Sequence, residues 1–337
     1  MGGGLRPVRG SAEEVLALLH AWDRAEDPDP LLVETSGSTG QPKRVVLSRS
    51  AMRASADATH ARLGGPGQWV LRLPPTYVAG LQVLFRSVRA GTRPVEEASA
   101  MTGERRDLAV VPTQLTRMLA SGPDEIRGFD AVLVGGARLD PRLRARAEDH
   151  GVRVVATYGM SETCGGCVYD GVPLDGVRVA VGDEGRVRIG GPVLFDGYDG
   201  APDLTAQAKV DGWFVTADLG RLRADGRLEV LGRVDDVVVS GGLNVPAPVV
   251  ADRLREHPRV REAEVVGVPD DEWGQQVVAV VAGEAGLAEL RDWVGERHPR
   301  AWAPRRVVPV PALPLLSNGK VDRLAVERLA ASCGDPS

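Results

Sequence analysis

The chain has 337 residues, 43% hydrophobic and 26% charged, with 41 Lys and Arg against 46 Asp and Glu, a formal net charge of −5. The length exceeds a usual single domain and points to at least two, and the composition is that of an ordinary soluble globular chain. The mildly acidic balance excludes a bulk nucleic-acid or membrane-surface partner, no apolar run approaches a membrane span, the first residues carry no apolar signal core, and three cysteines make no disulfide scaffold; a cytoplasmic location is the expectation.

Ser11 and Glu14 have the spacing of a capping box, opening an amphipathic helix with Val15, Leu18, Leu19 and Trp22 on one face. Leu31, Leu32 and Val33 then read as a buried strand. It breaks into TSGSTGQPK (35–43), followed by the β-branched run Val45, Val46 and Leu47. Small hydroxyl residues and glycines let backbone N–H groups curl around an anion, and hydroxyls and a lysine add donors, which suits a polyphosphate. The Walker loop is a different pattern, because its lysine precedes Ser or Thr and opens a helix. A solvated turn is the competing reading of the same residues.

Residues 48–63 read as a helix ended by Gly64 and Gly65, and 69–73 as a strand stopped by Pro74 and Pro75. An apolar helix over 78–89 is interrupted by Arg86. Strands are expected at 108–111, 131–134 and 152–157, and helices at 113–119 and 141–149. The second strand runs into Gly135 and Gly136, the third into Tyr158 and Gly159. Alternation of this kind predicts a parallel, covered α/β sheet with ligands at the carboxyl ends of its strands. After Asp170 short strands at 177–181, 186–189 and 227–230, with Gly turns, predict a small antiparallel, barrel-like piece. Helices at 246–256, 287–297 and 323–331 and strands at 262–268, 276–282 and 306–310 then make a small α+β unit. A boundary at Asp235 gives domains 1–234 and 235–337.

Only three lysines occur, Lys43, Lys209 and Lys320, in an Arg-rich chain. Where Arg is the default, a retained Lys marks a site that needs a compact point charge. Lys43 and Lys320 sit in Gly-containing loops; Lys209 has no such context. Arg86 is the other anomaly, since a buried arginine is rare without a partner. Cys164 and Cys167 form a C-x-x-C, but the rest of the chain offers only Cys333 and five scattered histidines, so neither zinc nor redox chemistry is expected.

Five motifs in order, TSGSTGQPK (35–43), YGMSET (158–163), GWFVTADLG (212–220), GRVDD…SGG (232–242) and NGKVDR (318–323), resemble the acyl-adenylate-forming (AMP-binding) superfamily. Residues 51–67, 78–96 and 161–179 are most similar to its short-form o-succinylbenzoate–CoA ligases of menaquinone synthesis. The resemblance implies a large N-terminal domain for ATP and acid and a small mobile C-terminal domain. It implies adenylation of a carboxylate by ATP with Mg²⁺, then thioester formation with coenzyme A. Thr35, Ser36, Ser38, Thr39 and Lys43 would hold the phosphates. Tyr158, Gly159, Gly135, Gly136 and Ala137 would line the adenine, and Asp218 and Arg233 would bind the ribose. Ser161 would contact the α-phosphate, Glu162 would ligate Mg²⁺, Asp235 would be the hinge, and Lys320 would bridge carboxylate and α-phosphate. Gly241 and Gly242 would leave room for the pantetheine. Arg86 would pair the second carboxylate of the acid, with Thr163, Gly165 and Gly166 against its ring. Tyr77 stands where relatives often carry histidine for placing the acid carboxylate; Arg44 and Ala217 replace usual glycines. The implied partners are small molecules, with no nucleic acid and no membrane, and a homodimer stays open. Alternatives are a ligase for another aryl or short acid, and a catalytically weak acid- or nucleotide-binding relative.

Overall fold

The computed structural model describes residues 4–35, 43–182, 184–315 and 321–332. It divides into two compact units, one of Met1–Thr216 with Leu222–Glu229, the other of Ala217–Arg221 with Val230–Ser337. The hinge candidate Asp235 lies in the second, within the turn Val234–Asp236.

The first unit begins as the sequence predicts. Helix Ala12–Arg24 carries both halves of the capping box, with Glu14 N–H donating to Ser11 Oγ and Ser11 N–H to Glu14 Oε2. Its buried face seats Val15, Leu19 and Trp22, and Trp22 meets Phe85 edge to face at 5.7 Å. Helix Arg49–Leu63 starts on the Ser48 hydroxyl and ends on Gly64 in the left-handed region. Helix Val78–Ala90 ends the same way on Gly91. These glycine stops satisfy the last carbonyls at no Cβ cost.

The α/β pattern over 68–160 resolves as a parallel run of Gln68–Val70, Arg106–Val110, Ala131–Val134 and Val154–Met160. Gly165–Tyr169 and Val172–Pro173 extend this sheet antiparallel. Its core gathers Leu108, Val110, Val132, Val134, Leu115 and Ile126. The loop expected to cradle phosphate belongs to a different sheet. Leu31–Glu34 and Arg44–Leu47 pair antiparallel, flanked by Arg6–Pro7 and Gly197–Tyr198, so 35–43 is the connection of a hairpin rather than the end of a parallel strand. Periodicity reveals such a strand but not which neighbour it pairs with, so this pairing was not legible in the sequence.

Beyond residue 170 the short strands form a five-stranded sheet ordered Arg178–Val181, Arg186–Gly190, Trp213–Leu222, Lys209–Val210, with Leu228–Arg233 also on Trp213–Leu222. Trp213–Leu222 runs through the GWFVTADLG motif and buries Phe214 and Thr216 at every second position. Ala217 lies in this strand outside the positive-φ positions, so alanine meets no backbone strain where glycine is usual. Arg44 pairs with Asp199 at 2.7 Å on the surface.

The second unit is a sheet ordered Leu243–Pro246, Val237–Ser240, Gly274–Gly283, Val260–Asp270, with Arg306–Pro309 parallel to Gly274–Gly283. Alternation along Gly274–Gly283 sends Val277, Ala279 and Val281 into one core and Val278 and Val280 into another. Helices Ala247–Arg255, Leu287–Gly295 and Arg323–Ser332 supply the rest. Arg253 is buried over the Trp293 ring at 3.7 Å and pairs with Glu256 at 2.8 Å and Glu296 at 2.7 Å, which answers its charge.

Candidate active site

Ligands of open α/β sheets collect at the carboxyl ends of the strands, and a cavity of about 130 Å³ lies there. Val110, Val111, Gly135, Gly136, Thr157 and Gly159 contribute from the strand ends, Gly165 and Gly166 from the antiparallel extension, and Gln82 and Arg86 from helix Val78–Ala90. A cavity of about 150 Å³ can take a benzene ring, so this one matches an aryl group.

Close approach explains the glycines. A Cβ on Gly159 would sit 2.1 Å from the Gly165 carbonyl oxygen, and one on Gly135 would sit 2.4 Å from Thr157 Oγ1. The two strands that carry Gly159 and Gly165 could not come together with a side chain on Gly159.

Arg86 is 4% exposed. Its Nη2 donates to the Tyr169 hydroxyl at 3.5 Å and its guanidinium lies 5.1 Å from the Trp69 ring centroid. Its buried Nε has no hydrogen-bond partner. The arginine read from sequence as an anomaly thus lines the cavity, and its hydrogen-bonding capacity is not fully met. Gln82 is similar: Nε2 donates to the Cys164 carbonyl at 2.7 Å, while buried Oε1 has no partner. Below them Asp107 is fully buried, its carboxyl pushed up to about 6 by burial, against the lowering pull of Arg105, 3.3 Å away, and of Arg86. His60 is held down at about 4, by burial first and then by Arg86.

Thr163 does not line this cavity. It is fully buried, and its hydroxyl is consumed in the turn, accepting from Met160 N–H at 2.9 Å and donating to the Gly165 carbonyl at 2.8 Å. These bonds shape the corner that presents Gly165.

Glu162, one residue earlier, is buried and accepts from the Tyr198 hydroxyl at 2.8 Å. Burial and the Glu162 charge together push the Tyr198 phenol far above its ordinary value. Lys43 Nζ stands 5.4 Å from the Tyr198 ring centroid. Lys43, Tyr198 and Glu162 therefore form one group, linking the end of the phosphate loop to the candidate metal ligand. Glu162 Oε2 is outside the tyrosine bond. Among the described residues no three His, Cys, Asp or Glu cluster as a cation cage. A lone carboxylate suits Mg²⁺, which keeps waters and phosphate oxygens for the rest of its shell. Ser161 is half-buried beside Glu162 and Tyr158 half-buried in the strand before it.

Thr35 closes the hairpin on Lys43, with Thr35 N–H donating to the Lys43 carbonyl at 2.9 Å and Lys43 N–H to Thr35 Oγ1 at 3.3 Å. Thr35 shares a groove of about 370 Å³ with Tyr77, Thr76, Glu34 and Arg9. Tyr77 is 49% exposed there, so it stands with Thr35 rather than in the Arg86 cavity. Ala137 is exposed, one residue past the cavity glycines. Ser36, Ser38, Thr39 and Lys320 lie outside the described residues. The bridge between Leu315 and Val321 brackets the Lys320 segment, and Arg323 after it pairs with Asp236.

In the second unit Asp218 and Arg233 come together at 3.8 Å, and Arg233 also reaches Asp235 at 3.5 Å. Gly241 and Gly242 are the two tip residues of a hairpin, at φ +59° and +77°. A Cβ on Gly241 would lie 2.7 Å from Trp273. Hairpin geometry alone therefore accounts for this pair, whatever passes over it. Cys164 and Cys167 are buried free thiols, Cys167 pushed up to about 12 and Cys164 further, both by burial; neither has thiolate character at neutral pH.

Sequence reasoning missed Tyr169, Tyr198, Gln82 and Thr59. A signal existed for the tyrosines. The chain has only four, and scarcity, which singled out the lysines, would have singled out Tyr77, Tyr158, Tyr169 and Tyr198 together.

A family model described as AMP-binding enzyme matches residues 25–199, and one described as AMP-binding enzyme C-terminal domain matches residues 250–320. The chain is 43% identical to a protein of Mycobacterium tuberculosis named probable 2-succinylbenzoate–CoA ligase, over 96% of this chain and 90% of that one. It is 33% identical to the 2-succinylbenzoate–CoA ligase of Salmonella typhimurium, over 87% and 67%. Among solved structures it is similar to o-succinylbenzoate CoA synthetase from Bacillus subtilis in complex with the acyl-adenylate intermediate OSB-AMP, with a TM-score of 0.74, 27% identity, and coverage of 88% of this chain and 68% of that one.

Proposed function

The chain belongs to the AMP-binding enzyme family, and from that premise we propose that it is an AMP-forming acid–CoA ligase whose acid is o-succinylbenzoate. The observation that carries the reading is the cavity of about 130 Å³ whose lining includes Arg86, a nearly buried guanidinium with an unpartnered Nε. An aryl acid with a second carboxylate supplies both the ring and the anion such a site lacks. The names of the relatives support the same acid.

The proposed reaction has two steps. A carboxylate oxygen attacks the α-phosphorus of ATP, the bond to the bridging oxygen breaks, and pyrophosphate leaves. The coenzyme A sulfur then attacks the acyl carbon, and AMP leaves as the thioester forms. The first step concentrates anionic charge, so it depends on fixed cations and donors more than on a proton-transfer group. Lys43 and Thr35, with Ser36, Ser38 and Thr39, are assigned to the phosphates. Ser161 is assigned to the α-phosphate, and Lys320 to bridging it and the carboxylate. Tyr158, Gly135, Gly136, Ala137 and Gly159 are assigned to the adenine, and Asp218 and Arg233 to the ribose. Glu162, oriented by Tyr198, would hold Mg²⁺, which neutralises phosphate charge when bound. Tyr77, in the groove with Thr35, is assigned to the reacting carboxylate; a phenol can donate to it but adds no positive charge. Asp235 is proposed as the hinge between domains 1–234 and 235–337, and Gly241 and Gly242 as the coenzyme A approach. No helix among the described residues is long and apolar enough to cross a membrane, in keeping with a proposed cytoplasmic site of action on small molecules.

A second reading, a ligase for a smaller aryl acid, rests on the modest size of the cavity. The test is one assay: ATP, Mg²⁺, coenzyme A and a panel of acids, with pyrophosphate and thioester measured together. Both products from o-succinylbenzoate at the highest kcat/KM are expected. Turnover of benzoate in preference to it selects the second reading. Pyrophosphate from no acid overturns both.

A further inference from the structure

Arg86 is useful to a dicarboxylate only if its guanidinium points the right way, and a long flexible side chain needs something to aim it. The structure contains such a device. Thr59, in helix Arg49–Leu63, is fully buried, and its hydroxyl donates to the Ser55 carbonyl at 2.9 Å. The same oxygen lies 3.0 Å from the Tyr169 hydroxyl. A threonine has one hydroxyl proton, already committed to Ser55, so the tyrosine must be the donor in this pair. That leaves the Tyr169 oxygen with its lone pairs free of any donor role, facing Arg86 Nη2 at 3.5 Å. Proton direction is therefore fixed along the whole line: Arg86 to Tyr169, Tyr169 to Thr59, Thr59 to Ser55. The Trp69 ring, 5.1 Å from the guanidinium centre, limits movement on another side. The buried Nε lies outside this line and has no hydrogen-bond partner.

We propose that Thr59 and Tyr169 are positioning residues for acid specificity, holding Arg86 by a one-directional chain of hydroxyls so that it recognises a second carboxylate on the acid. The inference rests on the ligase reading and deepens it. Thr59 is not itself in the cavity lining; it meets the lining through Tyr169, which stands between it and Arg86, so its influence on the acid passes through Tyr169.

The variants are Thr59→Val, which keeps shape and removes the hydroxyl, Thr59→Ser, which keeps the hydroxyl, and Tyr169→Phe. Each is confirmed as folded by its thermal transition. Calorimetry then measures binding of o-succinylbenzoate and of benzoate to each protein in the presence of a non-hydrolysable ATP analogue. The expected result is that Thr59→Val and Tyr169→Phe each weaken the dicarboxylate relative to the monocarboxylate by about tenfold, equivalent to about 1.4 kcal/mol. Thr59→Ser should restore the ratio. The double variant should lose no more than either single one, because one line is cut once or twice with the same effect. An unchanged ratio in Thr59→Val, equal weakening of both acids, or additive losses overturns the proposal. If the natural chain does not itself prefer the dicarboxylate, the o-succinylbenzoate reading falls and this inference with it. If it does prefer it and the variants do too, only this inference falls.

Discussion

Arg86 concentrates the argument at the scale of single residues. A buried guanidinium without a full set of acceptors is costly, and the folded chain tolerates one beside a cavity. Replacing it with methionine of similar length removes the charge and the unmet donor together. Arg86→Met is expected to raise KM for o-succinylbenzoate by about 10- to 100-fold, the scale of one hydrogen bond to a charged group, while the urea midpoint holds or rises. Steady-state kinetics beside a urea titration checks both. A KM for o-succinylbenzoate that does not move would take Arg86 out of the acid site. The sequence marked this residue because Arg falls inside an apolar helical pattern; it marked Tyr169 only by scarcity and gave no sign of Gln82, whose surroundings are created by the sheet. Nor did the sequence show that the Thr163 hydroxyl closes the turn that carries Gly165.

Elements were legible wherever a local rule was sufficient. The capping box at Ser11 and Glu14 and the stop at Gly64 are each set within one helical turn, and the helices begin and end there. Gly165–Tyr169 was not read as a strand, since CGGCVY lacks the alternation of a half-buried edge; it is held by pairing with Val154–Met160. The contact between these two strands yields a direct test. The Cβ of Gly159→Ala would meet the Gly165 carbonyl at 2.1 Å and Gly166 Cα at 2.7 Å. Both are backbone, so relief requires the strands to part. Gly159→Ala is expected to destabilise by about 2 kcal/mol or more, within the usual cost of overpacking, and to abolish acid binding. Gly128→Ala, where nothing lies within 4 Å of the added atom, should change the urea midpoint little. A similar midpoint for the two variants would mean that the strand contact is looser than the structure has it.

Stability of the whole molecule carries the trace of two buried groups near Arg86. Asp107 has its pKa raised from 3.8 to about 6, and His60 has its pKa lowered from 6.5 to about 4. The signs oppose. Folded Asp107 binds its proton more tightly than the unfolded chain does, so its contribution falls as pH rises from about 4 to 6. Folded His60 binds its proton more weakly, so its contribution rises over about pH 4 to 6.5. Each is worth about 3 kcal/mol across its window, and in the natural chain they nearly cancel. Urea unfolding at pH 4 to 7 should therefore show Asp107→Asn gaining stability with pH relative to the natural chain, and His60→Gln losing it. Difference curves of the same sign for the two variants would refute the opposition. The sequence alone determined most of the order of helices and strands, the motifs that carry the family, and the two anomalies, scarce lysine and Arg86, because these depend on residue type and spacing along the chain. Only tertiary structure decided that the phosphate loop spans a hairpin outside the parallel sheet, that Gly159 must be glycine because another backbone lies against it, and that Tyr169 and Thr59 stand behind Arg86. Those relations join residues about 100 positions apart at some points, and no local rule reaches that far.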